Sequence, residues 1–116
     1  MLVSDTPHII YKICRRDEWS AAEREQVFRG SPDDLRDGFI HFSTAEQTPG
    51  TFEKYFAGET GLVLVAVDTR ALGPALKWEP SRGGALFPHH YGELALDAVL
   101  WSRPLASVAD FKQLGQ

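Results

Sequence analysis

The apolar run LVLVAV at residues 62–67 limits what this chain can fold into more than any other stretch. It has no alternation of polar and apolar residues, so an extended segment here can leave neither face to water. That is the pattern of a central strand covered on both sides. Six residues are also too few to cross a bilayer as a helix. A central strand needs partners, and the chain supplies them. Residues 8–14 (HIIYKIC) are β-branched and aromatic and follow Pro7. They place Ile9, Tyr11 and Ile13 on one face of a strand and Ile10, Lys12 and Cys14 on the other. Residues 76–79 predict a strand with Leu76 and Trp78 inward, and residues 97–103 (DAVLWSR) a last one.

Between these strands the spacing becomes helical. Asp17 is a fair N-cap for a helix through Val27, with Trp19, Ala22 and Val27 on one stripe and Gly30 as its stop. Residues 31–34 (SPDD) have turn chemistry, and the Asp33–Asp34 pair is expected in a solvated turn. Ser43 and Thr44 each match a capping-box start, with Glu46 and Gln47 three residues on. Pro49 then forces a kink or a restart with Thr48 as cap. Phe52, Tyr55 and Phe56 give that helix an apolar face, and Gly58 ends it. Residues 68–73 read as one helical turn with its own cap and stop. The counts predict an α+β domain with a bent, split β-sheet and two main helices between the first and third strands. A chain of 116 residues suits a single domain spanning 1–116. The tail, 105–116, has too weak a periodicity to assign an element.

The net charge is −4 and no Lys/Arg block occurs, which argues against nucleic acid as the main partner. The single cysteine, Cys14, excludes a disulfide within the chain and suits a reducing compartment. It reads as a small buried hydrophobe, since only Lys12 and Arg15 lie near enough in sequence to lower its pKa. MLVSDTPH has neither a basic end nor an apolar stretch, so no signal peptide is expected; neither is membrane association, and the expected location is cytoplasmic.

Chemistry concentrates at residues 78–92 (WEPSRGGALFPHHYG). Gly83-Gly84 lets backbone approach a ligand closely, and Arg82 offers a planar fork to a phosphate or carboxylate. Arg82 could alternatively anchor its loop by pairing with Glu79. His89, His90 and Tyr91 add groups that titrate or stack. On an extended backbone the two histidines point oppositely, so one of them faces the cleft. Trp19 and Trp101 read as core, and Trp78, which borders the loop, as a candidate wall. The second chemical stretch is residues 38–44 (GFIHFST), where Phe39, His41 and Ser43 share a face. His41 is either a hydrogen-bonded structural residue or a ligand-facing one. A helix N-terminus directly after it would present free N–H groups to an anion. No His or Cys spacing of a metal site occurs.

These two stretches, with IYKIC near the start and AVLWSRPL near the end, make the chain resemble a bacterial family of small domains of unknown function, numbered 952. The resemblance implies an ADP-ribosyltransferase-like fold whose cleft, in better-known relatives, holds NAD or another nucleotide. It places Tyr11-Lys12 at a first site position, His41 to Thr44 at a second and His89 to Tyr91 near a third. The wider fold often has a Glu at the third position; here Glu93 is close but offset. The expected function is binding of a nucleotide-like or other anionic small molecule, with ADP-ribosyl or related group transfer. His41 and His89 would be the catalytic residues. Tyr11, Lys12, Ser43, Thr44, Trp78, Arg82, Gly83, Gly84 and Tyr91 would hold the ligand. A non-catalytic module that senses a metabolite or binds a protein partner is the alternative.

Overall fold

In chain order the elements are β1 (Ile9–Arg15), α1 (Arg16–Glu25), β2 (Val27–Phe28), α2 (Pro32–Asp37), β3 (Ile40–His41) and α3 (Thr48–Tyr55). After them come β4 (Leu62–Asp68), β5 (Leu76–Pro80), β6 (Leu86–His90), β7 (Leu94–Ala95) and β8 (Val99–Leu105). This is a computed structural model, and it describes residues 7–112 and 114. Most of the stretch read as lacking a signal peptide, residues 1–6, lies outside the described residues, as do 113, 115 and 116 of the tail.

The LVLVAV run is the middle strand, β4, of an antiparallel sheet in the order β1-β4-β8. Val63, Val65 and Val67 enter one core with Ile10 and Cys14 of β1, Trp19 and Ala22 of α1, and Phe28 of β2. Leu62, Leu64 and Ala66 enter a second core with Tyr11 and Ile13, Phe52 of α3, and Phe111. The strand is thus sandwiched, which is why it tolerates no polar residue. The tail contributes as well: a 3₁₀ turn at Val108–Phe111 puts Phe111 edge-on to Phe52, with ring centroids 5.7 Å apart.

A second antiparallel sheet has the order β3-β6-β5, and β2 pairs with β7. The two larger sheets meet at one bridge, where Tyr11 N–H donates to Ser43 O (2.8 Å) and Ser43 N–H to Tyr11 O (2.9 Å). The α+β architecture is therefore an antiparallel one in which the sheet is divided.

The helical expectations need correction. Three α-helices, not two, separate β1 from β4 among the described residues. Gln26 turns left-handed (φ 63°) and ends α1, so Val27 starts β2 and Gly30 is not the stop. Residues 44–47 form a turn, closed by Thr44 N–H to Gln47 Oε1 (3.0 Å) and Gln47 N–H to Thr44 Oγ1 (3.2 Å). The capping pair thus precedes α3 rather than opening a helix directly behind His41 and Ser43. Pro49 fits the first turn of α3, where a missing N–H costs little.

Truncation should separate the sandwiched strand from the surface. Leu64→Ala, at a fully buried position, is expected to destabilise the protein by about 2–5 kcal/mol. Leu100→Ala, at a half-exposed position, should stay within about 0.5 kcal/mol. Urea titration followed by Trp fluorescence measures both.

Candidate functional site

The site begins where the sequence suggested a solvated turn. Pro32 lies in the first turn of α2, after Ser31 at its N-cap, and Gly38 (φ 88°) caps the other end. Asp34 is the third residue of this helix, and its side chain turns back so that Oδ2 accepts the Ser31 N–H at 2.9 Å. It is only 2% exposed. Its Oδ1 accepts from Lys12 Nζ (3.0 Å), the His41 backbone N–H (3.1 Å) and His41 Nδ1 (2.6 Å). Lys12 Nζ also lies 2.9 Å from Oδ2. Gly30 makes room for this knot: at φ 120°, a Cβ there would meet the Asp34 Cβ at 2.9 Å. Burial alone would raise the Asp34 carboxyl. The His41 hydrogen bond, the Lys12 ammonium and the Ser31 N–H outweigh burial and hold it well below the usual carboxylate range. Lys12 is likewise buried, and it needs this partner because an isolated ammonium there would be costly.

His41 is gripped at both ends. Its Nε2 lies 3.0 Å from Asp37 Oδ2, and the Arg36 guanidinium, ahead of His41, keeps that carboxyl low. Opposite His41 in the β3–β6 register sits His89, with the rings 5.6 Å apart and nearly perpendicular. His89 Nδ1 contacts Glu79 Oε1 at 2.8 Å, and the Tyr91 hydroxyl donates to the same oxygen at 2.8 Å. Those two bonds, His89 first, lower the Glu79 carboxyl; Glu79 in turn raises the Tyr91 hydroxyl. Phe39 stacks on His89 at 4.1 Å and also touches His41 and Tyr91.

Arg82 does not pair with Glu79, whose Oε1 is held by His89 and Tyr91. The Arg82 guanidinium lies 4.8 Å over the Phe87 ring and 6.0 Å from that of Tyr55, and donates to Thr51 Oγ1 at 3.3 Å. Thr51 Oγ1 also bonds Ser43 Oγ at 2.8 Å. Among the described residues no carboxylate lies within ion-pair distance of Arg82.

These groups surround a cleft of about 420 Å³ that Tyr11, Lys12, His41, Ser43, Arg82 and His89 all line, together with Asp34, Asp37, Thr51 and Tyr55. Residues near 12, 41, 82 and 89 therefore converge on one hollow. Thr44, Trp78, Gly83, Gly84 and Tyr91 do not line it. Thr44 spends its hydroxyl on the turn with Gln47, and Trp78 packs against the first core. Gly83 and Gly84 (φ 70° and 81°) supply the turn between β5 and β6, closed by Gly84 N–H to Ser81 O at 2.8 Å. Their conformational freedom goes to the turn rather than to ligand approach. Tyr91 reaches the site through Glu79 and Phe39. His90 is buried with Nε2 3.2 Å from Glu93 O, and Glu93 pairs with Arg29 on the surface.

Sequence reasoning does not find Asp34, Asp37, Thr51 and Tyr55, and the Arg82–Glu79 pair, the alternative to a ligand-facing Arg82, does not form. A signal for Asp34 existed: Ser, Pro, an acid at the third helical position and Gly at the end spell a short capped helix as well as a turn. Cys14 stays a core residue, its thiol pushed up to about 12 by burial, with Lys12 opposing. Among the described residues no group of three His, Cys, Asp or Glu side chains could hold a metal ion, and no helix is long and apolar enough to cross a membrane.

Fold and cleft together define a small α+β domain with a mixed-charge cleft where its two larger sheets meet. The chain belongs to the family described as protein of unknown function (DUF952), whose model matches residues 13–102. It is similar to the crystal structure of protein CC0527 from Caulobacter crescentus at 50% identity and TM-score 0.83, covering 88% of this chain and 90% of that one. The solution NMR structure of CC0527 gives 49% identity and TM-score 0.79, with 90% of each chain covered. No curated protein matches the chain.

Asp34→Ala should cost about 3–5 kcal/mol, because it leaves Lys12 buried and unpaired. The pH dependence has a definite sign. A carboxyl lowered by folding contributes stability that is complete above its unfolded value, about 3.9, and is lost as pH falls through the folded value. Denaturant midpoints from pH 7 down to pH 2 should therefore fall more steeply below about pH 4 in the wild type than in Asp34→Asn.

Proposed function

We propose that the cleft binds a nucleotide-like or other anionic small molecule, with Arg82 as the anion anchor. The observation that supports this most is the state of Arg82. It is a cleft-lining guanidinium held against Phe87 and Tyr55, with no carboxylate beside it among the described residues. Lys12, Arg15 and Arg36 also line the cleft, but each is paired with an acid. A planar, pre-positioned fork suits a phosphate or carboxylate, and the hydroxyls of Ser43 and Thr51 beside it can complete the oxygen contacts. Tyr55, whose side chain is half exposed at the rim, offers a face for a ring to stack on.

ADP-ribosyl transfer, with an ADP-ribosyltransferase-like fold and NAD as donor, is the finer reading that the family resemblance suggests. Such transfer passes through a cationic sugar that a free carboxylate normally stabilises. Asp34, the most deeply set acid of the cleft, has both oxygens taken by Lys12, His41 and Ser31. That saturation favours binding, or proton chemistry run by the histidines, over glycosyl transfer. It also supports the second reading, a metabolite-sensing module without chemistry of its own.

Calorimetry with ADP-ribose and inorganic phosphate tests the anchor. Arg82→Ala should weaken binding about 10- to 100-fold, as expected for one charge-assisted contact, while changing stability by less than about 1 kcal/mol. Unaltered affinity with a large loss of stability would make Arg82 a structural residue. Incubation with NAD and measurement of released nicotinamide addresses the transfer: release that depends on His41 and Arg82 would establish it.

A further inference from the structure

We infer that His89 and His41 form a general base and general acid that hydrolyse a phosphate ester bound in the cleft. This rests on the reading of the cleft as an anion site and adds the substrate class and the proton path. The register that pairs His41 with His89 puts the two rings on one face of the β3–β6 ladder, 5.6 Å apart. Each ring is oriented through Nδ1 by a carboxylate, Asp34 at 2.6 Å and Glu79 at 2.8 Å. A carboxylate only accepts, so the proton of a neutral His89 sits on Nδ1 and the lone pair on Nε2. Among the described residues nothing is bonded to that Nε2, while Phe39 stacking fixes the ring.

His41 differs in one respect that sets its role. Both of its nitrogens face carboxylate oxygens, and both contacts are satisfied only when each nitrogen bears a proton. The Nε2–H points at Asp37, a partly exposed cleft residue also held by Arg36. An ester oxygen can take the place of the Asp37 oxygen without disturbing the buried Asp34 contact. One ring thus offers a lone pair and the other a proton, a division suited to in-line displacement at phosphorus, with Arg82 on the non-bridging oxygens. Both oxygens of Asp34 are taken, so this buried carboxylate is not free to serve glycosyl chemistry.

The step balances with water as the only co-reactant. A water gives a proton to His89 Nε2 as its oxygen bonds to phosphorus. The ester P–O bond breaks with its electron pair on the leaving oxygen, which takes the Nε2 proton of His41. Proton exchange with solvent restores both rings.

Nitrogen-15 NMR of the ligand-free protein reads the tautomers directly. The pattern expected is protonation of His89 on Nδ1 alone and of His41 on both nitrogens. A His89 protonated on Nε2 alone would overturn the proposal whatever the cleft binds. Titration with inorganic phosphate then separates the two readings. Shifts at Arg82 and at both Nε2 atoms support the pair; shifts at Arg82 without either ring leave the anion site standing and overturn the pair; no shift anywhere in the cleft counts against both. A nucleoside 2′,3′-cyclic phosphate, whose alkoxide leaving group needs a proton, is the turnover probe. His89→Gln and His41→Gln should each lower kcat by about 10²- to 10⁴-fold, with Arg82→Ala acting chiefly on KM. Absence of turnover by the wild type, or turnover indifferent to both histidines, would overturn the hydrolysis.

Discussion

A single buried carboxylate ties this molecule together. Asp34 takes hydrogen bonds from Lys12 on β1, from Ser31 at the start of α2 and from both the backbone and the ring of His41 on β3. Removing a carboxylate and an ammonium from water is costly. Their mutual attraction repays that cost only when the geometry is good and the remaining lone pairs are satisfied. Here both oxygens are occupied, so the knot is saturated, and it fixes the short helix α2 against the strands on either side. Gly30 is part of the same constraint, because a side chain at that position would collide with Asp34.

Saturation also decides what the cleft can offer. The charges that neutralise one another, Lys12 with Asp34 and Arg36 with Asp33 and Asp37, build the wall. The guanidinium of Arg82 and the Nε2 of His89 have no acid beside them among the described residues, and the hydroxyls of Ser43 and Thr51 bond each other next to Arg82. The two carboxylate-oriented histidines stand side by side because β3 and β6 pair in that register, so the architecture of the second sheet is itself the reason they meet. Phe39, between His41, His89 and Tyr91, gives this polar group an apolar support.

Much of the fold was legible because its strands have strong one-dimensional signals. The non-alternating β4, the two-faced β1 and the inward Leu76 and Trp78 of β5 all follow from which faces must be dry. The helices were less legible. Ser, Pro and Asp serve a turn and a helix start equally well, so sequence alone does not separate α2 from a solvated turn; Gln26 ends α1 through a left-handed conformation that few non-glycine residues adopt. In the site, His41, His89, Arg82, Lys12, Ser43 and Tyr11 were singled out and the structure brings them to one cleft. Reactive neighbours in sequence point Trp78 and the Gly83-Gly84 pair to the same cleft. Trp78 serves the core and the two glycines a hairpin turn instead.

Sequence alone determined the covered central strand, the α+β class and the chemical types available, because periodicity and composition report which faces can meet water. Only tertiary structure decided partners. Whether Glu79 met Arg82 or His89, and whether Asp34 met solvent or Lys12, depended on strand register and on the packing of α2 against β1. Those relations join residues as far as 22 positions apart along the chain. Local sequence cannot specify them, because a charged side chain's partner is fixed by which segments fold into contact rather than by its neighbours in the chain.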